Sequence, residues 1–205
     1  RGTLFTLNAL PFGGFVRIRD CVIRNNESYN YTGSGASYGG GIYLGYGRHE
    51  IFNSIIMNNA GNPTRLTCGG IYISGGSYNE RTTIANCTVI GNIRHGIYQN
   101  AGTIIVTNSI VWDNTDDIYG TVTLARSDIQ DGDNNGTNGC IMTDPQFEYG
   151  LRLQASSPCV DAGGQSAVAV GLDGYTTRAD GTTDSGLVDM GYHYTSGVSM
   201  ALADI

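Results

Sequence analysis

The acidic loop at residues 131–136 carries side chains of the types that bind hard cations in proteins. It reads Asp-Gly-Asp-Asn-Asn-Gly, and Asp131, Asp133 and Asn135 stand at alternate positions, as the oxygen ligands do in the first half of an EF-hand calcium loop. The twelfth position is Met142, where an EF-hand has a bidentate Glu. A polar surface turn uses the same residues, because Asp, Asn and Gly all favour turns. The loop therefore predicts either calcium binding or a turn without a ligand.

Four tyrosines recur in a second pattern. They end the short blocks GGIY, GGIY, HGIY and DDIY, at Tyr43, Tyr72, Tyr98 and Tyr119. If each Ile points into a core, alternation along a strand puts every Tyr on one outer face. Such a row offers a flat aromatic surface for sugar rings or for another protein chain. The alternative is cross-strand stacking that only stabilises the sheet, worth about 0.2–1 kcal/mol per pair.

Further acidic residues gather near the C-terminal end, at Asp161, Asp173, Asp180, Asp184 and Asp189. We interpret them first as turn residues that accept backbone hydrogen bonds where the fold closes, and an ion held among them is the second interpretation. The histidines occupy unrelated sequence contexts, at His49, His95 and His193. Arg94-His95 comes just before a strand of the tyrosine face and could bind an acidic sugar, with a solvated pair as the default interpretation.

An internal repeat places these residues on a common scaffold. One block recurs five times, with a Cys or Ser at Cys21, Ser54, Cys87, Ser109 and Ser127. An aliphatic residue stands three positions earlier, at Ile18, Ile51, Ile84, Val106 and Leu124. An asparagine stands five positions later in four copies, at Asn26, Asn59, Asn92 and Asn114. Apolar residues spaced by two predict short strands, and their recurrence with loops of variable length is typical of a solenoid.

The repeat predicts an all-β fold, a right-handed parallel β-helix of about six coils. Residues 1–143 are expected to form the coils and residues 144–205 an irregular closing strand and cap. Because coils stack about 4.8 Å apart, equivalent aliphatic residues should form buried columns. The asparagines suit tight corners, where they tolerate left-handed backbone and bond to stacked neighbours. Cys21 and Cys87 would lie two coils apart, too far for a disulfide, so we interpret them as packing residues.

Composition and charge narrow the class of protein. Gly reaches 31 residues and Tyr 13, while charged residues make up only 14%, which is typical of a turn-rich extracellular β protein. The net charge of −7 argues against nucleic acid as a partner and favours a cation such as calcium. No apolar run reaches the roughly 18 residues of a membrane span, so no membrane insertion is expected. We expect a secreted or cell-surface location.

The C-terminal motifs resemble a known family. The segments DPQF (144–147), LRLQASSPCVDAG (151–163) and LDGYTTRADGTTDSGLVDMGYHY (172–194) are similar to the closing segment of choice-of-anchor Q domain proteins. Those proteins are secreted or surface right-handed parallel β-helices of the pectate-lyase-like superfamily. The preceding NSIVWDN (108–114) and SDIQDG (127–132) match the last coils of that family. This chain departs at Tyr192-His193-Tyr194, where the family usually has Ala-Tyr-Glu.

Two functions follow as expectations. The first is an extracellular structural or adhesive module that binds polysaccharide through the tyrosines or assembles end to end with other copies into fibres. The alternative is a polysaccharide lyase or glycoside hydrolase that acts on acidic polysaccharide. Hydrolysis needs two carboxyl groups about 5–9.5 Å apart, yet the tyrosine blocks offer only the adjacent pair Asp116 and Asp117. Since adjacent strand residues face opposite sides, we predict no catalytic residue here.

Overall fold

The computed structural model describes residues 5–7, 14–28, 39–61, 68–75 and 80–196. These residues form five coils of three short strands each. The first two coils contain β1 (Phe5–Leu7), β2 (Phe15–Arg19), β3 (Val22–Arg24), β4 (Ile42–Leu44), β5 (Arg48–Phe52) and β6 (Ile55–Met57). The next three contain β7 (Ile71–Ile73), β8 (Arg81–Ala85), β9 (Thr88–Ile90), β10 (His95–Gln99), β11 (Thr103–Thr107), β12 (Ile110–Trp112), β13 (Asp116–Tyr119), β14 (Thr123–Ala125) and β15 (Asp128–Ile129).

Equivalent strands of successive coils pair side by side and make three parallel sheets. The first sheet has the order β1-β4-β7-β10-β13, the second β2-β5-β8-β11-β14 and the third β3-β6-β9-β12-β15. After β15, Ile141 pairs in parallel with Asp128 and begins a partial sixth coil. The predicted parallel β-helix of about six coils is confirmed.

The predicted aliphatic columns lie in register at the centre of the coils. In the second sheet the paired residues are Ile18, Ile51, Ile84, Val106 and Leu124. In the first sheet they are Ile42, Ile71, Ile97 and Ile118. Both columns belong to one core that runs along the helix axis. Its burial is the main favourable term in the stability of the stack.

The Cys/Ser column satisfies the backbone at the corner between the second and third sheets. Ser109 Oγ accepts a hydrogen bond from Cys87 N at 3.2 Å and donates one to Thr107 O at 2.8 Å. Ser54 and Ser127 repeat this arrangement in their own coils. Cys87 is buried and donates to Ala85 O at 3.2 Å. All five cysteines are free, which agrees with a packing role.

Two neighbouring columns at the corners show the two features that the sequence predicts there, left-handed backbone and bonds between stacked side chains. Left-handed backbone occurs at the residue before each Cys or Ser, with φ of 43–53° at Asp20, Asn53, Asn86, Asn108 and Arg126. It also occurs at the residue before each repeated asparagine, at Asn25, Asn58, Gly91 and Asp113. The repeated asparagines themselves form a hydrogen-bonded ladder instead. Asn tolerates left-handed backbone better than most residues, which explains its frequency at these corners.

The closing segment lies along the side of the coils as well as beyond their end. It contains a 3-10 turn (Tyr149–Leu151), helix α1 (Ala167–Val170) and the antiparallel strands β16 (Tyr175–Thr176) and β17 (Tyr194–Thr195). Neither short helix has the length or apolarity of a membrane span, and the described part of the chain has no such helix elsewhere.

Two outward apolar side chains of the third sheet explain this course. Ile110 packs against Leu153, Cys159 and Met190 of the closing segment. Ile55 belongs to a cluster with Tyr194. An outer sheet face with large apolar residues needs a cover, so the segment returns over it instead of only closing the last coil.

Candidate functional site

The predicted binding tyrosines come together as one stack on the outer face of the first sheet. Tyr43 pairs with Tyr72, Tyr72 with Tyr98, and Tyr98 with Tyr119 in the strand register. The ring centroids are 5.6, 5.0 and 4.6 Å apart in that order, with planes within 10° of parallel. These distances are those of offset-stacked aromatic pairs. The parallel register of the strands therefore carries the rings on top of one another.

This stacking corrects the expectation of a flat aromatic platform. Rings that overlap face to face cover each other's faces, so the middle of the stack presents ring edges and hydroxyl groups. Tyr72 is only 5% exposed, whereas Tyr119, the last ring of the stack, is 49% exposed. The Tyr119 ring is therefore more open to solvent than the Tyr72 ring in the middle of the stack. The overlap of the interior rings is the cross-strand stacking that the alternative interpretation predicts.

A histidine and a carboxylate stand beside this end. His95 Nδ1 lies 2.8 Å from Asp116 Oδ2 across the pairing of β10 with β13. The His95 ring is 5.1 Å from the Tyr98 centroid and 5.2 Å from the Tyr119 centroid, tilted against both. His95 is largely buried and Asp116 is partly exposed. Sequence reasoning placed His95 beside this face but did not pair it with Asp116.

Asp117 points away from the tyrosines, as alternation along the strand predicted. It is 2% exposed, and its Oδ1 accepts a hydrogen bond from Asn114 Nδ2 at 2.9 Å. Burial raises the pKa of Asp117 to about 6, and Asp131 adds to the rise. Asp117 and Asp131 also exchange hydrogen bonds between backbone N and carboxylate, at 3.1 and 3.2 Å. The pair Asp116 and Asp117 thus presents one outward carboxylate.

The predicted calcium loop lies beside this end of the coils. Asp131 Oδ1 accepts from Asp133 N at 3.3 Å, the local bond of a turn, and Asn135 is exposed. Partial desolvation together with Asp131 and Asp116 raises the pKa of Asp133. A cation would relieve that accumulation of negative charge. The loop is thus a turn stabilised by its own hydrogen bond and also an acidic surface. Calcium binding at Asp131, Asp133 and Asn135 stays a prediction.

The acidic residues of the closing segment separate into two groups. Asp161, Asp173 and Asp180 are exposed, and the Asp180 carboxylate pairs with Arg178. Asp184 and Asp189 are buried beside His193. The sequence offered no signal for that contact, because the histidine follows the carboxylates in a segment without periodicity.

Comparison with known proteins finds no relative of this chain. No protein-family model, no curated protein and no solved structure matches this chain. The resemblance of its C-terminal motifs to choice-of-anchor Q domain proteins stays a prediction.

Proposed function

We propose that this chain is an extracellular structural or adhesive module that contacts neutral polysaccharide at the Tyr119 end of the tyrosine stack. The observation that carries the proposal is the half-exposed Tyr119 ring beside the hydrogen-bonded pair of His95 and Asp116. A sugar ring has an apolar C–H face and a rim of hydroxyl groups. An aromatic face beside a few polar groups suits both parts.

The charge near this end favours a neutral sugar. Asp116, Asp131 and Asp133 are close enough that the first two raise the pKa of the third. An acidic polysaccharide would be repelled here unless a cation lay between the chains. Neutral chains such as cellulose, xylan or chitin avoid this cost. The ladders of the coils supply the rigid support that a binding surface needs.

The enzymatic alternative has weaker support. Asp116 is engaged with His95, and Asp117 is buried against Asn114. The DDIY block therefore does not present two carboxylates across a bound sugar, as hydrolysis requires.

A binding experiment with matched variants tests the proposal. The chain is run in affinity electrophoresis against xylan, hydroxyethyl cellulose, glycol chitin, pectin and alginate. We expect one or more neutral polymers to retard the chain, and Tyr119→Ala to lower the affinity for them about tenfold. Tyr149→Ala, a change at an exposed tyrosine of the closing segment, should bind as the wild type does.

The same proteins and polymers distinguish glycan binding from enzymatic cleavage and from fibre assembly. Binding that is absent for every polymer, or unchanged by Tyr119→Ala, contradicts the proposed surface. New reducing ends or unsaturated products that disappear in Asp116→Asn would establish the enzyme instead. Filaments in negative-stain images, with no glycan binding, would identify end-to-end assembly as the adhesive mode.

A further inference from the structure

Two carboxylates and an imidazole meet in the interior of the closing segment. Asp184, Asp189 and His193 are 5%, 2% and 0% exposed. One potential ligand atom from each lies within 4.8 Å of the other two, and the described residues contain no other cluster of this kind. Groups that ionise are rarely buried together without compensation of their charge. The cluster therefore needs a proton or a bound cation to lower its negative charge.

The hydrogen bonds of His193 show where that proton or cation belongs. Its Nδ1 lies 3.0 Å from the carbonyl oxygen of Gly191, which can only accept, so Nδ1 carries a hydrogen. Its Nε2 lies 2.7 Å from Asp184 Oδ2. A neutral imidazole with a hydrogen on Nδ1 has a bare lone pair on Nε2. A bare lone pair that faces a carboxylate oxygen needs either a proton or a metal ion between them.

An unpartnered oxygen distinguishes the metal from the proton. Asp184 Oδ2 already accepts from Asp189 N at 2.9 Å and contacts His193, whereas Asp184 Oδ1 is buried without a hydrogen-bond partner among the described residues. A shared proton would leave Oδ1 unsatisfied, and a buried unsatisfied acceptor is costly. A metal ion bound by both carboxylate oxygens of Asp184 would satisfy Oδ1.

The surrounding bonds orient the other ligands. Asp189 Oδ1 accepts from Asp161 N at 2.7 Å, and Asp189 Oδ2 accepts from the Thr177 hydroxyl. A ligand carboxylate that is itself hydrogen-bonded, and a ligand histidine that donates its other N–H to a carbonyl, are regular features of metal sites.

We propose that Asp184, Asp189 and His193 form a structural site for a divalent transition metal of the zinc type. Imidazole nitrogen with carboxylate oxygens suits Zn²⁺ better than a hard cation such as Ca²⁺, which prefers oxygen alone. The ion would cross-link the closing segment and so hold it against the coils. His193 N donates to Asn53 Oδ1 at 2.7 Å, so the ion fixes the strand that docks on the corner column of the coils. An irregular segment whose strands have only two residues has few backbone hydrogen bonds of its own, so a metal cross-link adds most to its stability.

Metal content and thermal unfolding test the site. The chain is produced with added zinc, desalted and assayed by mass spectrometry for metals, then stripped with a chelator and titrated with Zn²⁺. We expect about one equivalent of zinc and a rise in Tm of about 8 °C or more on reloading. Asp184→Asn, which keeps the size of the side chain, should lose both. Asp173→Asn, an exposed position in the same segment, should keep both.

Cobalt and calcium distinguish this site from a thiolate site and from a hard-cation site. Co²⁺ serves as a spectroscopic probe: bands of nitrogen and oxygen ligation without a thiolate charge-transfer band support the site, while a thiolate band assigns the metal to the cysteines and overturns it. Wild-type protein without bound metal, and with the same Tm in zinc and in chelator, also overturns the proposal in favour of a shared proton. A shift with Ca²⁺ alone contradicts the transition-metal assignment. If Asp184→Asn does not fold, the wild-type metal content decides.

Discussion

Asn59 Oδ1 accepts two hydrogen bonds from Asn26, one from its backbone N and one from its Nδ2, each 3.0 Å long. Asn92 does the same for Asn59, and Asn114 for Asn92. The ladder ends at Asp117, which accepts from Asn114 Nδ2. One column of amides thus joins four coils through side chains that are mostly buried.

Asn92→Ala should destabilise the fold by about 3 kcal/mol, because the change removes the acceptor for two donors of Asn59 and the donor to Ile56 O. Urea unfolding followed by circular dichroism measures the difference. Asn100→Ala removes an exposed bond to Ser74 O and should cost under about 1 kcal/mol. Equal effects of the two changes would contradict a structural role for the ladder.

The tyrosine stack should stabilise the fold in its middle and bind at its end. Tyr72→Ala removes a buried ring with neighbours on both faces and should cost about 3 kcal/mol. Tyr119→Ala removes a half-exposed ring and should cost about 1 kcal/mol or less. Thermal unfolding of both variants measures this order. A Tyr119→Ala variant less stable than Tyr72→Ala would show that the end ring carries the packing.

The free energy of unfolding should fall as the pH rises from about 4 to about 7. Burial raises the pKa of Asp117 and Asp128 from 3.8 to about 6. Within this window the folded protein holds protons that the unfolded chain releases, so these groups contribute stability below pH 3.8 that is lost as the pH passes 6.

Asp128→Asn tests that dependence at one position. Asn keeps an oxygen for Thr143 N and places an amide toward Cys159 Sγ. Urea unfolding at several pH values should give a shallower fall for this variant, while the exposed Asp173→Asn should follow the wild type. Identical slopes for all three proteins would show that Asp128 ionises normally in the fold.

Calcium should raise Tm if the acidic loop binds it. The accumulation of charge around Asp133 favours a cation, and the bond from Asp133 N to Asp131 Oδ1 favours a turn that needs none. Differential scanning fluorimetry with millimolar CaCl₂ decides between them. Asp133→Ala should abolish any shift, and Asp173→Ala should retain it. Melting curves that calcium leaves unchanged would remove the loop as a site.

The coils were predictable from the sequence because a repeated strand has a fixed register. Ile51, Ile84 and Val106 fall in one column by counting from Ser54, Cys87 and Ser109, and the strand pairing confirms that column. Alternation along a strand likewise placed the tyrosines together on the outside. Local periodicity and stacking suffice for such features, since each coil repeats the contacts of the last.

Three other features have no periodic signal in the sequence and depend on the tertiary structure. The distance between coils determines that stacked tyrosine rings cover one another, and that Tyr119, at one end of the stack, is half exposed. The closing segment lies along the third sheet because Ile55 and Ile110 need a cover there. Asp184 and His193 meet through a turn-rich path that has no repeating pattern. Contacts of this kind depend on the packing of particular side chains, and no local pattern in the sequence predicts them.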